Sequence, residues 1–261
     1  MENTDFINLL KDNGQFSDTS AVQVDVSKDV EHTEGTTILA VRYRAGVLVA
    51  GDRRATMGNT VVYDRADKVV SVDDQSVLAL SGSPANAYEI ARMLEISFQH
   101  YRRSQLQEMS LDGKLRTLSR LIRENLSMAL QGIGVVVPIY ATYDSAHDDG
   151  AKGGGKIFFY DVLGAAFESV DFCTTGSGSH LIRGALYFLN RWGGKGFAEM
   201  DFDEVLTIAL KLLETAAEYD TGTGGYKPET QIFPQIMQVT DEGIETVLDS
   251  HLQSIYETQL H

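Results

Sequence analysis

The stretch GTTILAVRYRAGVLVAGD, Gly35 to Asp52, carries the clearest structural signal in the chain. From Thr36 onward TTILAVRY and GVLVAGD alternate or run apolar, and only Arg44-Ala45 separates them from one another before Gly46. A period of two interrupted by a two-residue turn reads as a β-hairpin. Such a turn sets Thr36 opposite Arg53, so Asp52 returns to the neighbourhood of Thr36. DKVVSVDD and SVLALSG repeat the pattern around Asp74-Gln75. This second hairpin sets Lys68 opposite Ser81 and beside Gly82, with a one-residue slip enough to turn side chains to the other face.

At Ser83 the period lengthens. Ser83 suits a helix cap and Pro84 the first helical position, and Ala87, Ala91, Leu94, Phe98 and Tyr101 share one face. A second amphipathic helix carries Leu111, Leu115, Leu118, Ile122 and Ala129 and stops at Gln131-Gly132. Strand patterns return in GVVVPIYATYD, KIFFYDVLG and AAFESVDF, the last two paired through a turn near Leu163-Gly164. Helices at about 178–190 and 203–219 precede the strands IFPQIMQVT and GIETVLD. The order strands, two helices, strands, two helices, strands predicts an α+β fold: a two-layer antiparallel β-sandwich flanked by helices. No role is assigned to the weakly helical stretch from Ser250 to His261.

Residues 1–35 differ from the rest. Glu2, Asp5, Asp12, Asp18, Asp25, Asp29, Glu31 and Glu34 outweigh Lys11 and Lys28, and no periodicity is sustained. This reads as an extended, solvated segment, with one domain over 36–261. The N-terminus lacks the basic and apolar regions of a secretory signal, and no run approaches the roughly 18 apolar residues of a membrane span.

Composition narrows the function further. The chain has 261 residues, 43% of them hydrophobic, and a formal charge of -15. That charge repels phosphate backbones and anionic surfaces, so neither nucleic acid nor membrane is an expected partner. A lone cysteine, Cys173, forms no internal disulfide, and it reads as a small buried residue. No C-x-x-C or H-E-x-x-H spacing offers a metal cage, and His32, His100, His147, His180, His251 and His261 form no ligand pattern. No metal or cofactor is expected.

Cutting the chain between Gly35 and Thr36 would expose a hydroxyl nucleophile and, on the same residue, an α-amine with a pKa of about 7.7–8.0. A buried lysine cation beside them favours their deprotonated forms, and a carboxylate keeps that lysine charged and oriented. Lys68 and Asp52 fit these roles. Gly82, at a strand-to-helix junction, fits a backbone N–H donor to a developing oxyanion.

The motifs GTTILAVRYRAGVLVAGDRRAT, DKV, SGSPANAYEIARM, TGSGS and YDTGTGG, in that order from Gly35 to about Val247, resemble the catalytic β subunit of the bacterial, actinobacterial-type proteasome core particle. The resemblance implies an N-terminal-nucleophile hydrolase fold and a threonine endopeptidase matured by self-cleavage after Gly35, with 1–35 as propeptide. It assigns Thr36 as nucleophile, Asp52 and Lys68 as charge pair, Gly82 as oxyanion donor, and Ser177, Asp220 and Thr223 as groups around the terminal amine. It implies an extended substrate pairing with backbone at Thr56 and Gly82. The pocket for the residue before the cut then comprises Ala55, Ala66, Val70, Leu80, Pro84 and Tyr88, all without formal charge, which predicts cleavage after apolar residues. Implied partners are other β subunits in a heptameric ring, α subunits, an ATP-dependent unfoldase ring and unfolded protein substrates, in the cytoplasm. Two departures stand out. The chain has Asp220-Thr221-Gly222-Thr223-Gly224 where the family commonly shows D-S-A-[ST]-G, and Pro84 has no N–H to offer substrate.

Competing readings are a non-catalytic structural subunit of the same particle, whose usual loss of nucleophile or lysine is not seen, and the peptidase of the simpler two-component protease, whose members are shorter. Gly150 to Ile157 nearly matches a phosphate-binding loop, but Ile157 has no hydroxyl and a strand pattern follows where a helix is needed. Ser177 or Ser179 with His180 fails as a serine hydrolase, since G-x-S-x-G is absent.

Overall fold

A computed structural model describes residues 35–58, 60–132, 134–144 and 154–260. Residues 1–34, most of the proposed leader, and Gly150 to Gly153 of the near phosphate loop therefore lie outside the described residues. The opening stretch forms β1 (Thr37–Tyr43) and β2 (Gly46–Gly51), with Ile38 opposite Gly51 and Tyr43 opposite Gly46. This is the register that a turn at Arg44-Ala45 dictates, and it leaves Asp52 just beyond the ladder, its N–H donating to Thr37 O at 3.1 Å.

A short hairpin, β3 (Ala55–Met57) with β4 (Thr60–Tyr63), follows and was not foreseen. Then β5 (Val69–Asp73) pairs with β6 (Ser76–Ala79). Here the register is Val69 to Ala79, one residue off the expected pairing, because the ladder is irregular between Ser71 and Asp73. Lys68 faces Leu80, whose N–H donates to Lys68 O at 2.7 Å.

Helix α1 (Pro84–Gln105) buries Ala87, Ile90, Ala91, Leu94 and Phe98; Pro84 sits at its start, but the Ser83 side chain makes no cap bond. The second predicted helix is broken in two at Asn125: α2 (Leu111–Glu124), capped by Ser110 Oγ, and the short α3 (Leu126–Ala129). Of GVVVPIYATYD, only β7 (Ile139–Tyr143) is regular strand, since Pro138 precedes it and Val136 contributes a single bridge to Gly82.

The segment AAFESVDF is not one strand. After β8 (Gly155–Tyr160) it divides into β9 (Ala166–Ser169), which pairs with β8, and β10 (Phe172–Gly176), which pairs with β1 in the other sheet. Helices α4 (Ser179–Trp192) and α5 (Phe202–Tyr219) follow, the latter opened by an Asp201–Glu204 capping box. Strands β11 (Gln235–Thr240) and β12 (Gly243–Thr246) and helix α6 (Asp249–Ile255) close the chain.

The two sheets run β10-β1-β2-β11-β12 and β5-β6-β7-β8-β9, with all described pairs antiparallel. Alternation along β1 explains the layering. Ile38 and Ala40 enter the core between the sheets with Val69, Val77, Ala79 and Ile139. Leu39, Val41 and Tyr43 point the other way, onto Leu186, Leu206 and Leu213 of α4 and α5. The opposite face of the second sheet packs Leu78, Tyr140 and Phe158 against Leu94 and Leu118 of α1 and α2. Helix, sheet, sheet, helix is the α+β sandwich that the sequence order predicts. No helix of the described residues is long and apolar enough to cross a membrane.

Candidate active site

Gly35 and Thr36 lie just before the start of β1, where the start of β5, the end of β2, the β10–α4 junction and the loop after α5 converge. Thr36 is 4% exposed. The peptide bond before it is present, so its nitrogen is an amide, and Thr36 Oγ1 donates to the preceding carbonyl, Gly35 O, at 2.7 Å. Lys68 Nζ donates to the same oxygen at 3.3 Å and to Asp52 Oδ1 at 2.8 Å. Hydroxyl, carbonyl, cation and carboxylate thus form one contiguous array.

Asp52 is wholly buried. Its Oδ1 also accepts from Thr37 N at 2.8 Å, and its Oδ2 accepts from Arg54 N and Gly224 N, each at 2.9 Å. Four donors on one carboxylate offset the cost of burying its charge. Burial pushes the Lys68 ammonium below its ordinary value, while Asp52 opposes that shift.

A second network grips the Thr36 nitrogen. Ser177 Oγ accepts from Thr36 N at 3.1 Å and donates to Asp220 Oδ2 at 2.6 Å. Thr223 Oγ1 donates to the same Asp220 oxygen at 2.5 Å and lies 2.6 Å from Thr37 Oγ1. Since the Thr223 proton is committed to Asp220, Thr37 is the donor in that last pair. Ser177 and Thr223, 46 positions apart in the chain, come together on one carboxylate oxygen.

The departure from D-S-A-[ST]-G has a steric account. A Cβ on Gly35 would stand 2.0 Å from Gly222 Cα, and one on Gly222 would stand 2.4 Å from Gly35 Cα. Neither position admits a side chain while the other keeps its path.

Gly82 has φ +99°, and a Cβ there would meet Val135 O at 2.0 Å. Only glycine holds that backbone turn beside the site. A small pocket opens in front of Thr36 and is lined by Ala55, Thr56, Ala66, Leu80, Gly82, Pro84 and Tyr88 among others. Val70 is the exception to the expected wall: it packs against the core under α1 and α2. In its place Arg54, Asp67 and Ala87 line the pocket, so the wall is not free of formal charge. Asp67 is paired with Arg53 at 2.7 Å.

With this geometry in view, the comparisons are specific. A family model for the proteasome subunit matches residues 32–226. The chain belongs to the proteasome subunit family. It is 39% identical over 229 residues to the proteasome subunit beta of Acidothermus cellulolyticus, covering 87% of this chain and 76% of that relative. It is 39% identical over 230 residues to proteasome subunit beta 2 of Thermomonospora curvata, covering 88% and 77%. The proteasome subunit beta of Streptomyces griseus subsp. griseus is 36% identical over 226 residues.

Several site residues escaped sequence reasoning. Thr37 and Gly224 reach Asp52 through backbone N–H groups, which no residue type announces. Arg54 stitches the site together: its Nη1 donates to Thr221 O at 3.1 Å and Thr223 O at 3.0 Å, and its Nε to Asp64 Oδ1 at 3.2 Å. Its place two residues after Asp52 was the available signal. Among the described residues no group of three or more His, Cys, Asp or Glu could hold a metal ion.

Proposed function

We propose that this chain is the threonine-type endopeptidase subunit of a proteasome core, made as a precursor and cut by itself between Gly35 and Thr36. The observation that carries the reading is the pair of contacts on Gly35 O, Thr36 Oγ1 at 2.7 Å and Lys68 Nζ at 3.3 Å. The nucleophile rests against the carbonyl it would attack, and a cation stands on the oxygen that would gain charge.

Self-cleavage then runs through the groups in place. Oγ1 of Thr36 bonds to the Gly35 carbonyl carbon and gives up its proton. The Gly35–Thr36 C–N bond breaks, the nitrogen takes a proton, and an ester joins Gly35 to Oγ1. Water hydrolyses that ester, leaving Gly35 as a carboxylate and Thr36 as a free α-amine with a free hydroxyl. The new amine inherits Ser177 Oγ as partner, with Asp220 and Thr223 behind it, and serves as base for Oγ1 in later turnovers. Residues 1–35 are the propeptide, masking that amine as an amide.

In turnover, Oγ1 attacks the substrate carbonyl, Lys68 supports the developing alkoxide, and the Gly82 N–H supports the oxyanion. Substrate lies extended against backbone at Thr56 and Gly82, a mode that reads main chain and tolerates many sequences. The residue before the cut enters the pocket between Ala66, Leu80 and Tyr88, favouring apolar side chains. Other β subunits in a heptameric ring, α subunits and an ATP-dependent unfoldase that delivers unfolded protein complete the working particle, in the cytoplasm.

The test is the N-terminal sequence of the chain purified from assembled particles, beside a Thr36→Ala control. A terminus beginning Thr36-Thr37, absent from the control, is the expected result. Assembled, peptide-cleaving particles that still carry the uncut leader would overturn it.

A further inference from the structure

The C-terminal helix is tied to the active-site loop through one carboxylate. Glu214, on α5, accepts from the hydroxyl of Tyr256 at 2.6 Å and from the backbone N–H of Tyr226 at 2.8 Å, both on Oε1. Tyr256 is 1% exposed and follows directly on α6. Its ring lies 4.4 Å from that of Tyr226, which stacks on Phe233 at 4.7 Å. Burial and the neighbouring Glu214 carboxylate push the Tyr256 hydroxyl far up, so it remains a donor at any working pH.

Tyr226 is two residues past Gly224, the donor to Asp52 Oδ2, and three past Thr223, the donor to Asp220. The loop 220–226 is therefore held at both ends. At its start, Asp220 N donates to Ala216 O of α5 at 2.8 Å. At its end, the Tyr226 N–H donates to Glu214 Oε1 at 2.8 Å. Glycines at 222, 224 and 225 give the stretch between little stiffness of its own. A Cβ at Gly225 would come within 2.8 Å of Glu214 Oε2, so the loop passes close over the carboxylate.

We infer that Glu214 is a positioning residue for the threonine site: by joining the Tyr256 hydroxyl to the Tyr226 N–H it fixes the far end of the 220–226 loop, and so the C-terminal helix governs where Asp220, Thr223 and the Gly224 N–H stand. This rests on the threonine-peptidase reading given above. Glu214 itself does not line the substrate pocket. Loosening it should spare substrate binding and impair the chemical step, because the donors that poise Asp52 and the Thr36 nitrogen lose their fixed places.

The experiment uses the full-length chain in assembled particles, with a fluorogenic peptide bearing an apolar residue before the cut. Rates are normalised to the number of chains beginning at Thr36. Tyr256→Phe keeps the ring and removes one donor; it should lower kcat about threefold at unchanged KM. Glu214→Leu removes the acceptor from both donors and should lower kcat about tenfold or more. Glu214→Gln keeps an oxygen where both donors point and should recover most of that loss. If Glu214→Leu fails to assemble, Tyr256→Phe decides alone. A kcat per mature terminus equal to the parent's in Tyr256→Phe, or a change in KM alone, overturns the positioning role. Thr36→Ala run in parallel separates the two claims. Activity surviving that change sinks the threonine reading, whereas its loss beside an unaffected Tyr256→Phe sinks the role of Glu214 only.

Discussion

Among the described residues, two lysine–aspartate pairs of equal length are built differently. Lys68 and Asp52 meet at 2.8 Å with side-chain exposures of 7% and 0%; Lys114 and Asp73 meet at 2.8 Å with 11% each. Asp52 has three backbone N–H donors besides its lysine, brought by β1, the end of β2 and the loop after α5. Asp73 has one, Gln75 N at 2.9 Å, within its own hairpin turn. Lys114 reaches it from α2 while lying 5.6 Å over the Phe98 ring. The first carboxylate keeps three donors without its lysine, which leaves the lysine available for the chemistry proposed above. The second depends on its lysine, and the pair serves as an anchor for a helix.

The largest effect expected from this contrast is at Lys68. Lys68→Met, close in volume, should lower peptide cleavage and leader removal about 10³-fold or more, and cost about 3 kcal/mol of stability without unfolding the chain, because three backbone donors still satisfy Asp52. Leader removal and kcat, measured beside a thermal melt, check this. A collapse of the melt with it would place Lys68 with the anchors. The same lysine sets a pH signature. Its ammonium lies below the ordinary 10.5, so the cation, and with it kcat, is lost as pH rises through that lowered value. Stability moves the opposite way. Between the lowered value and 10.5 the unfolded chain binds more protons than the folded one, so unfolding becomes harder as pH rises there. In Lys68→Met both dependences should vanish.

Next in size is Gly82→Ala. Its φ of +99° and the 2.0 Å approach to Val135 O force the backbone to move. About 2 kcal/mol or more of stability should be lost. Cleavage by the folded fraction should drop about 10²-fold as the proposed oxyanion donor shifts. An unchanged kcat with only the melting point lowered would remove Gly82 from the chemistry and leave it a steric requirement of the β6–α1 junction.

These positions also show what the sequence makes legible. The first hairpin was readable to the residue, since a two-residue turn and uninterrupted alternation leave one register, and Asp52 followed from it. The second slipped by one, because the irregularity between Ser71 and Asp73 has no residue-type signal. The split of AAFESVDF between two sheets was hidden for a related reason. The period of two runs straight through Val170-Asp171, and the crossing is set by distant partners, Arg42 N on Asp171 O at 2.8 Å and Asn190 on Asp171 Oδ2 at 3.0 Å. Val70 was placed in the pocket by likeness alone, whereas its β5 position turns it to the helix layer. Glu214 and Tyr256 lay beyond reach, since an exposed-looking helical glutamate acquires its meaning only when the C-terminal helix folds back onto it.

The smallest effect is expected at the second pair, and it tests the comparison most directly. Lys114→Met keeps a flexible apolar stem against Phe98 but leaves Asp73 half-satisfied and almost buried. The cost should be about 1–2 kcal/mol, below that of a fully buried pair because each partner keeps some contact with water. Asp73→Asn in the same background should restore part of it, since a neutral amide can still accept from Gln75 N and no longer needs a cation. Neither change touches a group within reach of Thr36, so cleavage per mature terminus should match the parent. Thermal melts and kcat measured on the same preparations decide the matter. Were Lys114→Met to slow cleavage as Lys68→Met does, the division between a chemical pair and an anchoring pair would fail, and α2 would have to be coupled to the site through β5, the strand that Lys68 precedes and Asp73 ends.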